Sequence, residues 1–392
     1  MGVALCFTTA TTSVAGAPQP EIAAVRSSCE GAAAFRGTNT PHFQIFLYNV
    51  PTGGNPSVSG TATVGTQVTP FQSAGFADSS VPGEWIFDDL AFSSNPVRPS
   101  DGPATITFQW TDGLGGSGNL TQVVGIQNCA AQPSRTASAI ATDQTGSVYW
   151  TVTRDGLVNG FDADNFSPGY HSGSGMADFY GDVVGVPLNS PIVGMAARPD
   201  GLGYWLLGGD GGVFTFGLAQ FYGSTGGIQL SAPVVAMAST PGGNGYWLVA
   251  SDGGVFAYGD AAFYGSMGGK PLNKPIVGMA VDQATGGYWL VASDGGIFSF
   301  NAPFHGSTGS LVLNQPVVGM ESAPDGSAYR LAAADGGVFS FDLPFEGSYT
   351  DQDPHPMVAI TGFGSSGYSL LDHCGGVYSF GSAPFWGSQI VC

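Results

Sequence analysis

The chain has 392 residues, room for two or three ordinary domains, and its 43% hydrophobic content is enough to build sizeable cores, which excludes a disordered polymer. Its 63 glycines, 12% aromatics and only 9% charged residues point to an all-β protein of many short strands joined by tight turns. With 9 Lys+Arg against 28 Asp+Glu, the formal charge of −19 repels phosphate backbones and anionic membrane surfaces, so nucleic acid is not an expected partner.

Residues 1–17 open with a modest apolar run from Gly2 to Phe7 and end in the small residues Ala15-Gly16-Ala17. This reads as a truncated secretory signal with a small-x-small cleavage site after Ala17 and no basic leading region. No other stretch approaches the roughly 20 apolar residues of a membrane-spanning helix, so no membrane insertion is expected and the mature protein is placed outside the cell or on its surface. The five cysteines suit that compartment. Cys6 would leave with the signal, and the remaining four allow three pairings. Their placement favours Cys29–Cys129 and Cys374–Cys392, one bond per domain; a retained Cys6 would be an odd thiol able to link chains, a route to self-association.

Residues 18–132 carry the clean polar and apolar alternation of half-buried strands, clearest in Ala104-Thr-Ile-Thr-Phe-Gln-Trp110 and in parts of His42 to Val50. The spacing predicts an immunoglobulin-like β-sandwich. The first Trp after Cys29 is Trp85, too distant for a standard immunoglobulin domain. Residues 130–135 (AAQPSR) read as a linker.

Residues 133–392 are repetitive. GYWLLGGDGGVFTFGLAQFYGS, GYWLVASDGGVFAYGDAAFYGS and GYWLVASDGGIFSFNAPFHGS begin 42 residues apart at Gly203, Gly245 and Gly287. Weaker copies begin at Val148, Ala328 and Gly367, making six. Ahead of most copies stands Pro-Ile/Val-Val-Gly/Ala-Met, at Pro191, Pro233, Pro275 and Pro316, with looser versions at Pro356 and Ser138. Each unit offers four short strand candidates, a small-residue strand, an aromatic strand, one after Asp-Gly-Gly and one at Phe-Tyr-Gly-Ser, which is the spacing of propeller blades. Tyr246-Trp-Leu-Val is apolar without alternation, as expected of a strand covered on both faces. Asp-Gly-Gly is a tight-hairpin signal, since Gly accepts positive φ. The expected architecture is a six-bladed β-propeller.

These repeats resemble those of secreted actinobacterial proteins in which units of the GYWLVASDGGVFAFG type recur in tandem, beside cell-wall hydrolases or alone. The resemblance covers residues 138–392 and is close in the middle three copies. It implies a propeller fold and an extracellular setting, and it brings no defined catalytic residues. This chain departs from it at Arg330 and Ser369, which stand at the Trp position, at Cys374, which stands at the Asp position, and in an insertion at 163–176.

Asp155, Asp210, Asp252, Asp294 and Asp335 recur at one point of five copies. They are binding candidates as a carboxylate ring, against the plainer reading that Asp starts the hairpin turn. Trp150, Trp205, Trp247 and Trp289 are either sugar-stacking platforms or packing between blades. The inserted loop carries His171, a candidate because long loops on rigid scaffolds carry specificity. The histidines share no metal-ligand spacing, and there is no G-x-S-x-G, H-E-x-x-H or phosphate-loop motif, so no metal, cofactor or catalytic set is expected. The leading expectation is a non-enzymatic binding or adhesion protein recognising an extracellular glycan or protein. The rivals are a subunit of an extracellular filament or surface layer, and a propeller glycoside hydrolase or lyase, whose paired carboxylates leave no local signature.

Overall fold

The computed structural model describes eight strands between residues 23 and 124, then residues 135–162, 179–349 and 355–388; every described regular element is a strand. The leader at 1–17, Cys6, Cys29, Cys129, Cys392 and the inserted loop with His171 lie outside the described residues.

The N-terminal strands form two four-stranded antiparallel sheets. One orders Ala23–Ser28, His42–Leu47, Trp85–Phe87 and Phe76–Ala77. The other orders Gln67–Ala74, Ser57–Val64, Ala104–Thr111 and Ser117–Val124. The alternation read from Ala104–Thr111 is realised: Thr107, Gln109 and Thr111 are exposed, whereas Trp110 is buried opposite buried Val58.

From residue 137 the repeats form six three-stranded antiparallel sheets. Their inner strands are Ala137–Thr142, Ile192–Ala197, Val234–Ser239, Ile276–Val281, Val317–Ser322 and Met357–Gly362. The middle strands are Val148–Thr153, Gly203–Gly208, Gly245–Ala250, Tyr288–Ala292, Tyr329–Ala333 and Gly367–Asp372, and a shorter outer strand follows each. Each inner strand packs on the next, and Met357–Gly362 packs on Ala137–Thr142, so the sheets close a circle resembling a propeller. Close approach explains the small third residue of the inner strand: a Cβ on Gly278 would lie 3.4 Å from the Gly319 Cα of the next sheet. The middle strands are buried throughout, as their unbroken apolar runs require, and the outer strands after the first are only partly covered. In the turn from middle to outer strand the first Gly of Asp-Gly-Gly takes φ of +80° at Gly211 and Gly253, a conformation that side-chain-bearing residues rarely adopt.

The fourth strand expected in each unit is absent as a strand. The Phe-Tyr-Gly-Ser segment is instead tied to the following sheet by the tyrosine that opens its middle strand. Tyr246 Oη accepts from the amides of Tyr222 and Gly223 and donates to the Gly223 carbonyl at 2.6 Å. Tyr204 grips Tyr180 and Gly181, Tyr288 grips Tyr264 and Gly265, and Tyr329 grips His305 and Gly306 in the same way. Tyr368 donates to the Gly347 carbonyl. Tyr149 completes the set across the ends of the ring, donating to Gly387 O at 2.5 Å and accepting from the amides of Trp386 and Gly387. A strand ladder is unnecessary because each hydroxyl satisfies both a backbone donor and an acceptor.

Removing one hydroxyl leaves those backbone groups unpaired, so Tyr149→Phe and Tyr246→Phe are each expected to lower stability by about 1–3 kcal/mol in urea unfolding. Hydrogen exchange separates their roles: Tyr149→Phe should deprotect residues 383–388 selectively, and unchanged protection there would show that other contacts close the ring.

Candidate functional site

A cavity of about 300 Å³ lies at the centre of the circle, walled by residues from all six inner strands. Met195, Met237, Met279 and Met320 occupy one repeat position around it, with Ile140 and Ile360 completing the set. Beyond them lie the inner-strand ends and the turns that follow, including Asp143, Gln283 and Pro324. Inner and middle strands are antiparallel, so the turns after them lie at opposite ends of a sheet. The cavity lies at the inner-turn end.

The Asp-Gly-Gly turns are therefore at the other end. Asp210, Asp252, Asp294 and Asp335 each accept, through Oδ1, the amide of the residue two further on, at 2.9–3.1 Å. Asp155 pairs with Arg135 Nε at 2.7 Å and accepts from the Thr153 hydroxyl. Each of the five carboxylates is thus engaged in its own turn or by a neighbouring strand end. Asp252 also borders a separate hollow of about 290 Å³ with Lys270 and Lys274. The four repeat tryptophans are at most 1% exposed and present no face to a sugar. They pack between sheets: ring centroids of Trp205 and Tyr246 are 5.6 Å apart, as are those of Trp247 and Tyr288, and Trp289 lies 5.4 Å from Tyr329. Their indole nitrogens donate to the carbonyls of Gln220, Ala262 and Pro303. Among the described residues the exposed aromatics are instead Phe263, Tyr264, Phe304, Phe345 and Phe385, all in the gripped segments. Among the described residues no group of three or more His, Cys, Asp or Glu is placed to hold a metal ion. Cys374 is buried and disulfide-bonded.

The fifth sheet breaks the pattern at the cavity wall. In four sheets the inner strand sets Ala beside Trp, as in Ala196↔Trp205 and Ala280↔Trp289. Here Glu321 stands beside Arg330, joined Oε1 to Nη1 at 2.6 Å, with side chains 5% and 0% exposed. Arg330 otherwise imitates the indole. It donates to Pro344 O, the counterpart of Pro303 O, and to Ser365 O at 2.7 Å, and it lies 4.8 Å from the Tyr368 ring centroid. Glu321 Oε2 has no hydrogen-bond partner, and neither has the buried Oε1 of Gln283. A Cβ at Gly362 would come within 2.3 Å of Glu321 Oε2, so the glycine makes room for the carboxylate. Glu321, Gln283 and Gly362 all line the cavity. Burial pushes the Glu321 carboxyl up to about 7, although Arg330 draws it down. Asp143, the other acid on the wall, is fully engaged by Thr145, Ser147 and Val148. Sequence reading marked Arg330 as a departure and missed its partner; the signal was Glu in the fifth inner strand where four others have Ala.

No family model matches the chain, and no curated protein matches it. Among solved structures, a protein of unknown function from Bacteroides thetaiotaomicron VPI-5482 is 12% identical with a TM-score of 0.41, over 85% of this chain and 92% of that one. The Myceliophteria thermophila Cps50 (Swd1) β-propeller domain is 9% identical with a TM-score of 0.42, over 65% of this chain and 86% of that one. Neither bears on what the cavity binds.

Removing one member of a buried ion pair strands the other, so Arg330→Ala is expected to cost about 3–5 kcal/mol in urea unfolding. The double variant Glu321→Ala/Arg330→Trp, which restores the arrangement of four other sheets, should recover most of that loss. The folded-state value near 7 also sets a pH dependence, because above the unfolded value of 4.5 the folded protein retains a proton the unfolded chain has released. Relative to Glu321→Gln, the native protein should lose thermal stability as pH rises from about 4.5 to 7, and a flat difference would contradict the assignment.

Proposed function

We propose that this chain is a secreted, non-enzymatic binding protein, a six-bladed propeller preceded by an immunoglobulin-like sandwich, whose central cavity receives part of an extracellular glycan. The observation that carries the binding role is the cavity itself: a space of about 300 Å³, walled by all six inner strands and lined by two residues with buried, unpartnered oxygens. That size is at the lower end of small-molecule sites, and a site with a few placed polar groups on an otherwise apolar wall is the usual form of one. Hydrolysis of a glycosidic bond takes two working carboxyl groups. Of the two acids on this wall, Asp143 is consumed by its own turn, which favours binding over cleavage. The repeats' resemblance to secreted actinobacterial proteins, the cysteine usage and the disulfide-bonded state of Cys374, for which Cys392 is the partner expected from the sequence, support export. The strand order of the N-terminal sheets supports the immunoglobulin-like reading: taken in chain order they run 1-2-6-5 and 4-3-7-8, the A-B-E-D and C-F-G pattern with one edge strand added beside C.

The test is to present the full chain to an array of bacterial and plant polysaccharides and assay the same mixtures for new reducing ends. Retention without new ends is the expected result. New reducing ends would make the protein a hydrolase, and the absence of both retention and cleavage would overturn the assignment.

A further inference from the structure

The unpartnered groups on the cavity wall identify the chemistry missing from it. Glu321 Oε1 is taken by Arg330, while Oε2 is buried without a partner in the space left by the missing side chain of Gly362. Gln283 adds a second bare oxygen from the turn after the fourth inner strand. A buried polar atom without a partner costs about 1–3 kcal/mol, more when charged, and such atoms persist in native proteins where something else completes them. Gln283 Oε1 is an acceptor, and so is Glu321 Oε2 once the carboxyl is ionised, so the missing partner brings donors. Its charge follows from the wall. Asp143 and Glu321 are the charged residues lining the cavity, and Arg330, set behind the wall, balances one of them. The excess is one negative charge. The thioethers of Met195, Met237, Met279 and Met320 supply a soft apolar surface for the C–H face of a ring, and the volume admits about one ring.

We propose that the cavity selects an amino sugar, its ammonium group donating to Glu321 Oε2 and a ring hydroxyl to Gln283 Oε1, a specificity that rests on the glycan-binding function above. An ammonium offers three donors and the one positive charge the wall lacks, and a charge-assisted bond is about twice as strong as a neutral one. Gly362 then positions the specificity group, because a Cβ there would come within 2.3 Å of Oε2 and displace it.

Calorimetric titration of the full chain at neutral pH with glucosamine, glucose and N-acetylglucosamine tests this. Glucosamine is expected to bind about tenfold or more tightly than either neutral sugar. Glu321→Gln should erase the preference. Gly362→Ala, which retains both charged residues but displaces Oε2, should weaken it, and a thermal melt of each variant confirms folding. Equal binding of the three sugars would overturn the ammonium assignment and leave glycan binding standing. Binding of none of them by a chain that the polysaccharide array retains would overturn the cavity as the selective site. A chain that the array also fails to retain would instead sink the binding function itself.

Discussion

Six tyrosine hydroxyls hold this ring of sheets together. A strand edge left by a three-stranded sheet would expose backbone donors and acceptors along the following segment, and an unpaired buried backbone group is expensive. Each Tyr at the start of a middle strand reaches back to the segment ending the previous repeat and satisfies both kinds of group with one oxygen. Because donor and acceptor belong to different sheets, the bond that satisfies the segment also fixes the neighbours' spacing. The indole of the preceding sheet packs against the same ring, so the hydroxyl and the aromatic face of one residue act together. Closure needs no separate device: Tyr149, near the start of the ring, grips Trp386 and Gly387 at its end with the same geometry.

Compensation at the last sheet shows how strict this packing is. Ser369 stands where Trp is expected, and the stack on Tyr149 would lose its partner. Trp386, at a position occupied by Tyr in three other repeats, lies 5.5 Å from the Tyr149 centroid at an interplanar angle of 17° and restores a large ring there. In the fifth sheet the replacement is Arg330, which keeps the planar contact and the carbonyl bond of the indole but brings a charge that Glu321 must neutralise. Two local losses of Trp thus receive opposite remedies. One keeps an apolar interface at the seam, and the other carries a buried ion pair to the wall of the central cavity.

Much of this was legible in the sequence because repetition averages out local ambiguity. Four copies of Asp-Gly-Gly between apolar runs, with Asp-Gly-Leu and Cys-Gly-Gly in the first and last units, leave little choice but hairpins, and unbroken apolar middle strands imply sheets covered on both faces. The fourth strand was misread for a physical reason: Phe-Tyr-Gly-Ser has strand-like composition, and only the structure shows that its hydrogen bonds go to a side chain. The five Asp were conspicuous through recurrence, yet Asp210, Asp252, Asp294 and Asp335 each spend an oxygen on the amide two residues on, as the turn demands, and Asp155 is held by Arg135 and Thr153. Glu321 and Gly362 escaped notice because each looks ordinary alone. A glycine among 63 and one acid in a chain rich in acids acquire meaning only when the fold sets them against each other across two sheets.

That contrast bears on where function resides in a chain built of copies. A residue repeated in every unit meets the same demand in every unit, and here those demands are turns, stacks and the tyrosine grip, all of them conditions for closing the circle. A ligand has no such symmetry and contacts one side of a central cavity differently from another. Residues that would recognise one are then to be sought among those that depart from the repeat while facing the common space. Ser369 departs but is buried against Ser379, and Cys374 departs at the far turns. Glu321 and Gly362 depart and face the cavity together, beside Gln283, whose place in the first sheet is held by Gln144. A buried charge, an orphaned amide oxygen and a vacated Cβ position each tax stability, and their convergence on one wall is what a binding role explains and closure of the ring does not.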